Sequence, residues 1–157
     1  MSRYDWLLSL HVLGAFLVLG GAVLAGVFNL AALRRERPSE VAFLFRLTRV
    51  AVVSISAGMV LTLVFGLWLV DEAGYGWGEA WIVVALVLWV ASNALGGIGG
   101  KGEKRARQLA QRLAAEGDAP SAELSARLRD PVRLALSWSS GVLVVVLLGL
   151  MIWKPGA

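Results

Sequence analysis

The chain has no cysteine and a single histidine in 157 residues. Without thiols there is no disulfide, no thiolate metal site and no cysteine nucleophile. One histidine rules out bis-histidine ligation of haem within one chain and leaves copper short of imidazole ligands. Acids are missing where they would carry most meaning: none falls inside the four long apolar blocks, at about 6–33, 50–70, 80–100 and 132–153. A proton- or ion-coupled transporter ordinarily holds a carboxylate inside the membrane. A Ser–His–acid hydrolase needs an acid oriented onto its histidine. Neither pattern is readable, so no catalytic residue is assigned.

What the chain has instead is apolar surface. Hydrophobic residues make up 58% of it, with a mean hydropathy of +0.72, more than a soluble domain of this length can bury. Crossing about 30 Å of hydrocarbon takes roughly 20 apolar residues in a helix, and each block is long enough. The first block is also far longer than the roughly 7–15-residue core of a cleavable signal, so this helix is expected to remain. The sequence therefore predicts an all-α, polytopic transmembrane protein: a four-helix antiparallel bundle forming one membrane domain over 1–157.

Charge sets the expected orientation. Of 15 Lys and Arg residues, 13 lie in two connecting segments, about 34–49 and 101–131 with Arg133 just beyond, whereas "DEAGYGWGE" between the second and third blocks holds three acids and no base. Basic connections mark the cytoplasmic side, so both termini are expected outside and both basic loops inside. Tyr4, Trp6, Trp68, Tyr75, Trp77, Trp81 and Trp153 fall at the ends so placed outside, as an interfacial aromatic belt would. Arg46 and Arg49 are expected to reach lipid headgroups as snorkelling anchors, and the basic loops to attract anionic lipid. Acids interleave with these bases, which argues against nucleic acid as a partner.

Local signals complete the elements. Ser39 is the expected N-cap of the second helix. "GGIGGKG" lacks the Gly and Ser or Thr of a phosphate-binding loop, having Leu95 and Gly102 at those positions. It reads as a flexible exit from the third span, followed by a surface helix carrying Leu109 and Leu113 on one face. Asp130 is expected to cap the fourth span with Pro131 in its first turn.

Helices in lipid associate by close approach of small residues and by a few hydrogen bonds. Ser54, Gly58, Thr62 and Gly66 recur every fourth residue on the second helix, and Ser92, Gly96 and Gly100 on the third. On the fourth, Ser137 and Gly141 are followed by Gly149. These rows can serve packing within one chain or a homo-oligomer. On the first helix, His11, Gly14, Val18, Gly21, Ala25 and Asn29 share one stripe, which turns His11 toward Thr62 and Gly66, the third helix between Trp81 and Trp89, and Gly149. Asn29, Ser54, Asn93, Ser137 and Ser140 are expected to form an interior polar cluster away from the histidine.

The segments "LLSLHVLGAFLVLGG", "GMVLTLVFGLWL" and "DPVRLALSW…LLGLMIWKPG" together resemble an uncharacterised bacterial family of integral membrane proteins, domain-of-unknown-function family 2269. The resemblance implies a multi-pass protein of the bacterial cytoplasmic (inner) membrane. More remotely the chain is similar to four-helix copper-resistance D-type proteins and the membrane-bound protoporphyrinogen oxidase of bacteria, which would carry over His11 alone as a haem or metal ligand. The oxidase pattern has a basic residue inside helix three, where this chain has Trp89, Ser92 and Asn93. Haem on His11 would be five-coordinate, paired with Met59 or Met151, or shared by two copies. No cofactor is assigned from the residues themselves. The sequence supports an accessory or interaction protein over a haem- or metal-binding one.

Overall fold

The computed structural model describes residues 2–154, and among these the secondary structure is entirely helical. Pro155 and Gly156 of the closing "KPG" lie outside the described residues. Helix α1 spans Arg3–Ala32, α2 Pro38–Glu72, α3 Ala80–Ala115, α4 Ala122–Leu128 and α5 Pro131–Trp153. All but the short α4 are long and apolar enough to cross a membrane. The chain runs up and down, so both termini lie at one end of the bundle, opposite the basic connections; these are called here the terminal end and the basic end.

Each helix starts where its chemistry allows. Ser2 and Asp5 form a reciprocal capping box at α1. The side chain of Asp130 accepts the Val132 N–H at 2.9 Å, with Pro131 at the first position of α5, as the sequence predicted. The start of α2 departs from expectation. Its N-cap is Arg37 and Pro38 occupies the first position, so Ser39 lies already inside the helix. The Ser39 N–H and hydroxyl instead donate to the two carboxylate oxygens of Asp118, at 2.7 and 2.6 Å. Asp118, in the α3–α4 connection with a left-handed φ of 59°, thus satisfies an orphan N–H at the end of another helix.

A second correction concerns "GGIGGKG". α3 continues through it without interruption to Ala115. Glycine weakens a helix by about 1 kcal/mol per residue relative to alanine, but here two of the missing side chains admit α5: a Cβ on Gly96 would meet the Ser140 hydroxyl oxygen at 3.2 Å, and one on Gly102 would meet Arg133 at 3.2 Å. Gly96 and Gly102 are places of close approach, Gly97 and Gly100 face open space, and the helix runs through all of them. α2 and α3, of 35 and 36 residues, run to about 50 Å at roughly 1.5 Å per residue, well beyond the hydrocarbon. Their excess projects at the basic end, where α4 closes over it. Ala32, Val41, Phe45, Ala106, Leu109, Ala110, Leu124 and Leu128 form a buried cluster there, built like the core of a small soluble domain.

Within the bundle α1 and α2 pair most intimately. A Cβ on Gly58 would come within 2.6 Å of the Gly14 carbonyl oxygen and 2.8 Å of Val18. On Gly14 it would meet the Thr62 nitrogen at 2.9 Å, and on Gly21 the Ala51 oxygen at 2.8 Å. Backbones this close leave no room for any side chain, which is the packing membrane helices use in place of a hydrophobic drive. α3 and α5 form the other hairpin, and α2 packs against α3. α1 and α5, which would complete the ring, scarcely touch.

Candidate functional site

The parting of α1 from α5 leaves a cleft of about 510 Å³ at the terminal end, walled by all four long helices. Its rim is formed by Val12 and Phe16 of α1 and Ile152 of α5, all exposed, so it opens sideways through the apolar surface. Ala85, Leu86 and Trp89 from α3 and Leu147 and Leu148 from α5 make its walls. Polar groups are few and gather toward the mouth: His11, Thr62, Tyr4, Tyr75, Trp81 and Lys154. The size is that of small-molecule sites, about 300–1,000 Å³, and the lining suits a hydrocarbon chain.

His11 sits where the stripe on α1 predicted, against Thr62 and Gly66. Its Nδ1 lies 2.9 Å from the Thr62 carbonyl oxygen. A carbonyl only accepts, so Nδ1 is the nitrogen carrying hydrogen, and a neutral ring then keeps a lone pair on Nε2. Gly66 makes the contact possible, since a Cβ there would stand 2.9 Å from Cε1 and 3.0 Å from Nδ1. Thr62 turns its own hydroxyl back to the Gly58 and Met59 carbonyls. No hydrogen-bond partner for Nε2 is found among the described residues. Gly149, the neighbour expected from α5, packs instead against its own helix at Trp153.

At the mouth, the Lys154 ammonium donates to the Tyr75 hydroxyl at 3.3 Å and lies over two rings, 5.1 Å from the Tyr75 centroid and 5.7 Å from that of Trp81. The two rings meet edge to face at 5.2 Å. Glu79, the nearby acid, is committed elsewhere, accepting from the Gly76 N–H and the Trp81 indole N–H.

The five residues expected to form one polar cluster are not brought together. Ser54 donates to the Leu17 carbonyl at 3.2 Å, tying α2 to α1. Ser140 donates to the Ser92 carbonyl at 3.0 Å, tying α5 to α3. Asn93 is exposed and bonds Trp89 one turn back in its own helix, and Ser137 is exposed beside Gly99. Ser54, Ser140 and Asn93 are each satisfied by a backbone carbonyl, on the facing helix for the two serines and one turn back for Asn93. Asn29 alone enters a network, and its partners are residues the sequence placed among loop charges. Its amide oxygen accepts from Arg133 at 3.0 Å, and its amide nitrogen donates to Glu103 at 3.4 Å. Arg133 is 6% exposed, gives a second hydrogen bond to the Leu128 carbonyl at 2.6 Å, and keeps its Nε buried without a partner. This network joins α1, α3 and α5 at the basic end. Arg46 and Arg49 are exposed on α2.

Among the described residues no group of three His, Asp or Glu side chains gathers as a metal cage would. A metal or haem at this site would find one protein nitrogen, His11 Nε2, whose partner nitrogen is already held by a carbonyl as in many ligating histidines.

Four long apolar helices, small-residue contacts and a side-opening apolar cleft define a polytopic α-helical integral membrane protein. The chain belongs to the family described as predicted integral membrane protein (DUF2269), which matches residues 5–155. No curated protein and no solved structure matches it.

Proposed function

We propose that the chain is a non-catalytic accessory protein of the bacterial cytoplasmic membrane, which works by holding an amphiphilic molecule in the cleft between α1 and α5. The cleft carries this reading: it is mostly apolar, polar at its mouth, and opens sideways between the exposed apolar residues Val12, Phe16 and Ile152. Among the described residues no carboxylate lines it. The clustering of basic connections at the end away from the cleft supports a cytoplasmic basic end and external termini. Arg46 and Arg49 then meet anionic headgroups of the inner leaflet, each basic residue contributing about 1 kcal/mol near the surface. Gly97, Gly100 and Gly141 face open space, which supports lateral pairing of copies.

A second reading, haem or metal on His11, is favoured by the fixed tautomer and the unpartnered Nε2. One experiment separates the two. The detergent-purified chain is subjected to lipid extraction, metal analysis and an absorption spectrum. Near-stoichiometric lipid without a Soret band supports the accessory reading. A Soret band or stoichiometric metal that disappears in His11→Ala overturns it. Orientation is tested by labelling cysteines introduced at Gly76 and Gly117; reaction of the Gly117 position from outside would reverse the topology.

A further inference from the structure

Resting on the reading of the cleft as an amphiphile site, we propose that Lys154 with Tyr75 and Trp81 forms the headgroup site of an anionic phospholipid, one acyl chain of which lies in the cleft. Four observations converge. First, Lys154 is the cation at the mouth of the cleft, and no carboxylate among the described residues lies within ion-pairing distance of it. Second, its head is directed by a hydrogen bond to Tyr75 and by the faces of Tyr75 and Trp81, which attract a cation. A side chain left to snorkel freely would not need this arrangement. Third, Lys154 closes α5 with a left-handed backbone, φ 38° and ψ 60°. That position ordinarily falls to glycine, because a Cβ there is strained. Strain of this kind is kept where a side chain is used.

The fourth observation selects the class of ligand. The cleft is open along its side, so a two-chain lipid can insert one chain and leave the other in the bilayer. Lys154 stands at the level of the terminal-end aromatics Tyr4, Trp81 and Trp153, where phosphates of a leaflet lie. A compact ammonium is a point-charge partner for phosphate. Phosphatidylglycerol supplies that phosphate without a cationic group to offset it, whereas phosphatidylcholine carries its own ammonium.

The test uses the full chain in detergent, titrated with phosphatidylglycerol or phosphatidylcholine of identical acyl chains and read by native mass spectrometry. Wild type is expected to retain phosphatidylglycerol about fivefold more tightly, the equivalent of about 1 kcal/mol for one basic residue near a membrane surface. K154G, in which glycine suits the left-handed backbone and folding is not at risk, is expected to bind both lipids equally. L147W, which fills the cleft wall and leaves Lys154 in place, is expected to lose both. A preference that survives in K154G overturns the headgroup assignment while leaving the cleft reading intact. Retention unaffected by L147W overturns the cleft reading and this inference with it. Displacement of phosphatidylglycerol by equimolar oleate would assign the site to a free fatty acid and also overturn the proposal.

Discussion

Single positions in this chain carry unequal weight, and the glycines show it. Gly58 faces backbone atoms that cannot retreat, whereas Gly20 has open space around it. Gly58→Ala is expected to lower stability by about 1–3 kcal/mol through overpacking, and Gly20→Ala to be neutral or stabilising by up to about 1 kcal/mol through helix propensity. Thermal unfolding in mild detergent measures both, and equal effects would contradict the α1–α2 geometry. Asn29 is the other decisive residue. Asn29→Leu removes the acceptor of Arg133 and the donor to Glu103, leaving a buried guanidinium with one of its two hydrogen bonds. A loss of about 1–3 kcal/mol is expected, and the double variant with Glu103→Gln is expected to lose less than the sum of the singles because the two residues share one network. His11 was legible because a helix puts every third or fourth residue on one face, and its stripe was made of small residues. Arg133 and Glu103 were not legible. Both read as charges of the basic connection until Asn29, 104 residues from Arg133 and 74 from Glu103 in the chain, is seen bonded to each of them.

At the scale of elements, the ends of helices decide more than their middles. The Asp118 carboxylate holds its pKa below the ordinary carboxylate range, chiefly through the Ser39 hydroxyl and then the Ser39 N–H. A depressed carboxyl pKa stabilises the folded state at pH values above the unfolded value of about 3.9 and ceases to do so as pH falls through the lower, folded value. Amide-exchange protection in the first turn of α2 is therefore expected to be flat at neutral pH and to fall in acid. In Asp118→Asn the acid-dependent part of that fall should be absent; an unchanged profile would show that Asp118 does not cap α2. The sequence pointed to Ser39 as a cap because serine before an apolar run is usually one, but Pro38 occupies the first helical position and moves the start of the helix forward. The continuity of α3 through five glycines was hidden for a related reason. Glycine signals a break by its own propensity and close packing by its context, and only the presence of Ser140 and Arg133 opposite Gly96 and Gly102 selects the second. The four spans themselves were plain in the sequence, since their apolar length is the physical requirement for crossing a bilayer.

For the molecule as a whole, two helix hairpins are joined at the basic end by a buried core and a polar network and along the α2–α3 seam, while α1 and α5 part at the terminal end to leave a cleft. That asymmetry is what opens the bundle sideways at one end. It was not readable from periodicity, which says which face of a helix is inward and not which neighbouring helices fail to meet. The cysteine-free chain allows a direct test with single nitroxide labels in lipid vesicles, introduced at Ala15 in the cleft, Leu13 on the outer face of α1 and Ala106 in the basic-end core. Collision with dissolved oxygen, which concentrates in the hydrocarbon, reports whether each site is open to the bilayer. The Ala15 label is expected to approach the accessibility of Leu13; an Ala15 label as sheltered as Ala106 would mean that α1 and α5 close on each other and that there is no lateral cleft.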